Sequence, residues 1–207
     1  MHVALAPFAL LAALSFATVA HAASPLDDLI APKPNTSACF TRVYDADHLR
    51  KNPKQTTTSM AVRFSYDKAE GAPPELSLGV GIGIVRKGDA QPWIAQGGCR
   101  WIPQVNIDTS GRRMIKEFKK GDGGGCMMAA VPDVFDTLSA EEGGYLIIDR
   151  GKDADTLMVY LQDDLMMVKM ANRAKPIAVD FGAADRAFML RRAAARDCDF
   201  IDRALTR

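Results

Sequence analysis

A chain of 207 residues with 48% apolar and 25% charged side chains has the composition of a folded globular protein, not of a disordered one. Its formal net charge of +1 at pH 7 gives no general attraction to nucleic acid or to an anionic membrane surface. We therefore expect no nucleic-acid partner, and the length suits a single domain.

The first 22 residues predict a secretory signal peptide. An apolar stretch ends in the sequence AHA at residues 20–22, the small-x-small pattern at which signal peptidases cleave. A membrane anchor is the alternative, but Pro7 and the lack of a following Lys/Arg cluster favour cleavage. We expect a periplasmic or secreted protein with no transmembrane segment after cleavage, and with His48 as its only histidine.

The next segment, residues 23–37, holds three prolines and no sustained period, which predicts a flexible leader. The alternating sequence from Cys39 to Tyr44 then predicts a first strand. Residues 45–52 suit one or two helical turns, because Asp45 can cap the N-terminus of a helix and Pro53 prevents much continuation.

Period-two alternation of apolar and polar residues continues through most of the remaining chain. It predicts strands at 56–66, 76–85, 93–102, 126–131, 145–148, 155–161, 165–170, 177–179 and 188–192. A short helix is expected after Arg192, where alanine and arginine are frequent. About nine or ten short strands predict a mainly β protein, with a single antiparallel β-barrel or β-sandwich over residues 38–207.

All four cysteines follow the predicted cleavage site, and four cysteines in an exported chain predict two disulfides. Of the three possible connectivities, we favour Cys39–Cys198, which ties the ends of the domain together, and Cys99–Cys126, which joins neighbouring strands. A zinc site is disfavoured because the chain has no Cys-x-x-Cys pair.

The sequence GVGIG contains a glycine ladder (Gly79, Gly81 and Gly83) and is the nearest feature to a known motif. A dinucleotide fingerprint needs different glycine spacing and a following helix, so no nucleotide cofactor is expected. The ladder instead predicts a strand with one face free of side chains. Trp93 or Trp101 on the next strand could cover that face, or a ligand could occupy it, and these five residues form the candidate binding site.

Patterns that indicate catalysis are weak. Asp45, Asp47 and His48 combine carboxylates with an imidazole, but a helix N-cap at Asp45 and a surface histidine explain them more simply. A Ser-His-Asp triad would have to use His48, and no G-x-S-x-G sequence supports one. The acid pairs at 141–142 and 163–164 would suit a glycosidase only if the fold brought them together. We therefore assign no catalytic residue.

Metal-binding patterns are equally weak, and we predict neither a metal site nor a cofactor. Calcium takes six to eight oxygen ligands, more than Asp122 and its neighbouring glycines supply. Thioether groups can hold Cu(I), but methionines more often fill a core. The methionines concerned are Met127, Met128, Met158, Met166, Met167, Met170 and Met189.

These features favour an exported binding or interaction module of the cell envelope, whose partner is a small molecule or another envelope protein. The alternative is a hydrolase whose acidic residues converge only in the folded chain, and a third hypothesis is a purely structural envelope component. A cavity beside the glycine ladder would favour a ligand, and two carboxylates in a polar cleft would favour the hydrolase. If neither is present, an interaction surface remains.

Overall fold

The computed structural model describes residues 25–66, 78–102, 123–129, 143–162, 164–170 and 172–205. Its ten strands are β1 (Thr36–Val43), β2 (Thr57–Tyr66), β3 (Leu78–Arg86), β4 (Trp93–Ile102), β5 (Gly123–Ala129), β6 (Tyr145–Arg150), β7 (Thr156–Leu161), β8 (Leu165–Lys169), β9 (Asn172–Val179) and β10 (Ala187–Ala193). The two α-helices are α1 (Ala46–Lys51) and α2 (Asp199–Leu205). The number of strands and the position of the C-terminal helix agree with the predictions from the sequence.

Eight of the strands close into a barrel. They follow the order β3-β2-β1-β10-β7-β6-β5-β4, and β4 pairs with β3 to complete the ring. Strand β8 pairs with the first residues of β4, Trp93 and Ile94, and β9 pairs with β8. Every pairing between the described strands is antiparallel. The predicted mainly β fold is confirmed, and of the two predicted architectures the chain adopts the barrel.

The interior of the barrel is packed with apolar side chains, because alternate residues of a strand point to the same side of the sheet. Its largest fully buried side chains include Phe40, Phe64, Phe188, Met60, Ile82, Ile84, Met128 and Leu146. Burial of this apolar surface is the main stabilising contribution to such a fold. The remaining residues of each strand form the outer wall.

The C-terminal helix α2 covers part of the outer wall. Ile201 is fully buried beside Ala61 of β2, and Phe200 packs against the same cluster. The disulfide between Cys39 and Cys198 joins β1 to the residue immediately before this helix. The helix is therefore held both by apolar contacts and by a covalent bond.

Both predicted disulfides are confirmed. The Cα atoms of Cys39 and Cys198 lie 5.9 Å apart, across a sequence separation of 159 residues. Cys99 of β4 and Cys126 of β5 are direct partners in the strand register, and their Cα atoms lie 4.0 Å apart. No cysteine is left free.

The predicted leader contributes to the core. Leu29 and Ile30 have only 1% and 4% of their surface exposed, and both belong to the main apolar cluster. Arg192 Nη2 donates to the carbonyl oxygen of Leu29 at 2.9 Å and to that of Ala154 at 3.1 Å. The predicted domain starts at residue 38, but packed structure already begins at Leu29. The neighbouring prolines do not keep the side chains of Leu29 and Ile30 out of the core.

A buried carboxylate connects two distant segments of the chain. Asp185, just before β10, is 0% exposed. Its Oδ2 accepts hydrogen bonds from Thr56 N at 2.7 Å and Thr56 Oγ1 at 2.8 Å, and its Oδ1 accepts one from Thr57 N at 2.9 Å. These bonds join the segment before β10 to the start of β2, with β1 between them in the sheet.

The predicted signal peptide, residues 1–22, lies outside the described residues. Within the described ranges, no helix combines the length and the apolar character needed to cross a bilayer.

Candidate interaction surface

The glycine ladder lies on the outer wall of β3, since the alternating Leu78, Val80, Ile82 and Ile84 belong to the core. A Cβ atom added at Gly83 would lie 2.5 Å from Cε2 and 2.6 Å from Cζ of Phe200. The aromatic ring of α2 therefore rests directly on the backbone of β3 at this position. The absence of a side chain at Gly83 lets the helix approach the sheet closely.

Trp93 does not cover the glycine ladder, so that prediction is wrong for this residue. It is the register partner of Ile84, whose side chain lies inside the barrel, and it is only 8% exposed within the core. Its Nε1 donates to Asp89 Oδ2 at 2.8 Å, and Lys169 Nζ donates to Asp89 Oδ1 at 2.8 Å. The hydrogen bonds from Lys169 and Trp93 lower the pKa of Asp89. The side chain of Trp101 lies outside the described part of the chain.

Phe200 is the aromatic residue that the reasoning from sequence missed. The predicted Cys39–Cys198 disulfide indicates that Phe200 lies near β3. Phe200 follows Cys198 by two residues, and Cys39 lies on β1, two strands from β3. A covalent tether at Cys198 brings the start of α2 within reach of Gly83. The helical spacing of residues alone does not identify which aromatic faces the ladder.

Replacing Gly83 with alanine should lower the free energy of unfolding by about 1–3 kcal/mol, because the new methyl group overlaps the Phe200 ring. In a Phe200→Ala background, Gly83→Ala should leave the free energy of unfolding unchanged or raise it. Alanine lowers the conformational entropy of the unfolded chain relative to glycine. Urea unfolding of the four proteins gives the coupling energy between the two positions. Equal effects of Gly83→Ala in both backgrounds would show that the ring does not occupy the ladder.

The sequence cluster around His48 forms a helix cap. Asp45 Oδ1 accepts a hydrogen bond from the backbone N–H of His48 at 2.7 Å, as predicted for an N-cap, and this bond lowers the pKa of Asp45. The imidazole Nε2 lies 2.9 Å from Gln55 Oε1, and its ring stacks 4.6 Å from that of Tyr44. Because Gln55 Nε2 donates to Thr57 O, its Oε1 accepts from the histidine. Asp45 does not orient the imidazole, so these residues form no catalytic dyad.

Many of the described carboxylates are paired with basic side chains. The pairs are Asp28–Arg150, Asp47–Arg50, Asp89–Lys169, Asp153–Arg191, Asp155–Arg192, Asp164 and Asp180 with Arg186, and Asp199 and Asp202 with Arg63. A hydrogen bond from Thr156 Oγ1 lowers the pKa of Asp153. Lowered values keep a carboxylate ionised, whereas a general acid needs a raised one.

The structure bears on only part of the predicted acidic and metal-binding patterns. In the ranges that the structure covers, no three His, Cys, Asp or Glu residues are grouped as metal ligands would be. Asp122, the acid pair at 141–142 and Asp163 lie outside the described residues. Asp164, the described member of the second acid pair, contacts Arg186 at 3.5 Å.

Strands β5, β6, β7 and β10 carry an apolar surface on the outer wall, which we term the Met/Tyr belt. It consists of Met127, Tyr145, Ile147, Met158, Tyr160 and Met189, which alternate with core residues along their strands. Three register pairs hold it together: Met189 with Met158, Tyr160 with Ile147, and Met127 with Tyr145. Such directly opposed side chains lie about 4.5–5.5 Å apart at Cβ. The belt is therefore continuous across neighbouring strands.

The centre of the belt is buried and its margins are exposed. Ile147 has 0% of its surface accessible, whereas Met127 and Met189 are 39% and 42% exposed. The two tyrosines are partly buried. Burial raises the pKa of Tyr160, and the nearby Asp149 carboxylate raises it further. The hydroxyl is therefore neutral at physiological pH, and the belt presents methionine and tyrosine, both enriched at protein interfaces.

A comparison with protein-family models, curated proteins and solved structures finds no match to this chain.

Proposed function

We propose that this protein is an exported binding module of the cell envelope that docks another envelope protein on the Met/Tyr belt. The observation that carries the proposal is the exposure of two large apolar side chains, Met127 and Met189, at the margins of the belt, whose centre at Ile147 is buried. Partly buried Met158, Tyr160 and Tyr145 lie between these margins, and apolar surface grouped in this way commonly marks a binding site. Methionine adapts its shape to a partner, and tyrosine adds both apolar area and a hydroxyl group.

A protein partner suits this geometry better than a small molecule does. Small-molecule sites are concave and enclose most of the ligand, whereas the belt lies on the outside of a closed barrel. At Gly83, the position predicted to bind a ligand is occupied by the Phe200 ring of the same chain. The interior is lined with large apolar side chains that pack against each other.

Export is supported by the two disulfides and by the sequence of residues 1–22. Disulfides persist in oxidising compartments such as the periplasm and the extracellular space. The Cys39–Cys198 bond spans a sequence separation of 159 residues. It stabilises the fold only in a compartment where the disulfide is not reduced. The periplasm or the medium is the proposed location, with cleavage after Ala22.

The hydrolase alternative is not favoured by any described geometry. The carboxylates whose pKa values shift clearly are Asp45, Asp89 and Asp153, and all three shift downward. This hypothesis therefore stays a prediction from the sequence.

Site-specific photo-crosslinking in the native host tests the proposed docking surface. A photoreactive amino acid at position 189 should give a discrete covalent adduct with one envelope protein, and the same residue at exposed Lys87 should not. Lys87 follows β3, away from the strands that carry the belt. Adding Met127→Asp should reduce the adduct from position 189 severalfold, because a charge on the belt must be desolvated on docking.

The intact mass of the protein purified from the same host tests whether the chain is exported and cleaved. The purified chain should begin at Ala23 and be lighter than the reduced chain by the four hydrogens lost in two disulfides. Identical adducts from positions 189 and 87, or none from either, would contradict docking on the belt. A chain that retains residues 1–22 would contradict export with cleavage.

A further inference from the structure

The ten methionines of this chain include two populations that differ sharply in exposure. Met127 and Met189 of the belt are 39% and 42% exposed. Met60, Met128 and Met167 inside the fold are 1%, 1% and 0% exposed. Met127 and Met128 are neighbours in β5, so the strand pleat alone places one thioether outside and the next inside.

We infer that Met127 and Met189 are oxidation sites whose conversion to sulfoxide switches the belt from an apolar to a polar surface. The oxidant is a peroxide. Its terminal oxygen is transferred to the thioether sulfur as the O–O bond breaks, the sulfur loses two electrons, and hydrogen peroxide is reduced to water. The product carries a strong hydrogen-bond acceptor where the side chain was apolar.

The position of the two residues makes the change consequential for the belt. Met189 lies directly opposite half-buried Met158, and Met127 lies directly opposite Tyr145. A sulfoxide at either position therefore introduces a polar group beside an apolar partner in the same surface. Its role as a switch of docking rests on the proposed function, whereas the selectivity of oxidation rests on exposure alone. Methionine sulfoxide reductases reverse the reaction, so the switch is reversible.

Peroxide treatment of the folded, disulfide-bonded protein followed by peptide mapping tests the chemistry. Met127 and Met189 should oxidise at least about tenfold faster than Met60, Met128 and Met167, because a buried thioether reacts only after local opening. The adjacent Met127 and Met128 provide a matched comparison within one peptide. Similar rates at these two positions would overturn the inference. If Met127 and Met128 oxidise at the same rate in urea, the folded structure is the cause of their different rates in the native protein.

Hydrophobic-interaction chromatography tests the switch without any partner. Oxidised protein should elute earlier than untreated protein, and treatment with a methionine sulfoxide reductase should restore its retention. The double variant Met127→Leu/Met189→Leu should keep most of its retention after peroxide. Selective oxidation with unchanged retention would overturn the switch. If the retention shifts but position 189 gives no adduct in the host, the proposed docking fails while the oxidation sites stand.

Discussion

Replacing Cys39 and Cys198 together with alanine is expected to lower the free energy of unfolding by about 5 kcal/mol, and replacing Cys99 and Cys126 by about 3.5 kcal/mol. The difference follows from the loops that the two bonds close, whose sequence separations are 159 and 27 residues. A longer closed loop removes more conformational entropy from the unfolded chain. Alanine is used at these positions because all four cysteines are buried and a serine hydroxyl would need a partner.

Urea unfolding of the oxidised protein and of the two double variants measures these free energies. The m-value should increase in both variants, because the unfolded chain without a cross-link exposes more surface. The Cys39/Cys198 variant has a second expected consequence. Phe200 and Ile201 lose their covalent tether, so amide protons of α2 should exchange faster than those of β6 and β7. A larger loss of stability in the Cys99/Cys126 variant would contradict the loop-entropy explanation.

Replacing Asp185 with alanine is expected to cost about 4 kcal/mol of folding free energy. The change leaves the backbone N–H groups of Thr56 and Thr57 without their acceptor, and it also removes the acceptor of the Thr56 hydroxyl hydrogen. Each buried donor that loses its partner costs about 1–3 kcal/mol. Asp185→Asn should cost about half as much, because the amide keeps one oxygen acceptor but directs its NH₂ group at another donor.

Asp180, in the same connection between β9 and β10, provides the control. Its side chain is 80% exposed, and it contacts Arg186 only at 3.8 Å. Asp180→Ala should therefore change the unfolding free energy by less than about 1 kcal/mol. Thermal and urea unfolding of the three variants at neutral pH provide the comparison. If Asp185→Ala is no more destabilising than Asp180→Ala, the buried carboxylate does not hold these two segments together.

The sequence determined the local structure of this protein to a large extent. Strict alternation in a strand such as β3 reveals both its extent and its buried side, because only one face of a barrel strand meets the core. A capping aspartate before a short helix and a proline after it likewise delimit α1. The disulfides followed from four cysteines in a chain predicted to be exported and from their positions along it.

The sequence was less informative about which faces meet across the molecule. Trp93 was an aromatic candidate for the space above the glycine ladder, but its register with Ile84 places it inside the barrel. Phe200 reaches the ladder only because α2 folds back over β2 and β3. Leu29 and Ile30 were likewise hidden among prolines, although they pack in the core.

The Met/Tyr belt shows most directly what the tertiary structure decided. The sequence alone determined a mainly β chain joined by two disulfides, and it predicted that the methionines fill the core. That prediction holds for Met128 and is wrong for Met127 and Met189, which lie on the outer wall. Whether those side chains meet depends on the strand order β10-β7-β6-β5, in which β10 inserts between β1 and β7. Local alternation fixes the face of a residue, but contacts distant in sequence fix its neighbours, because many strand orders bury the same apolar faces equally well.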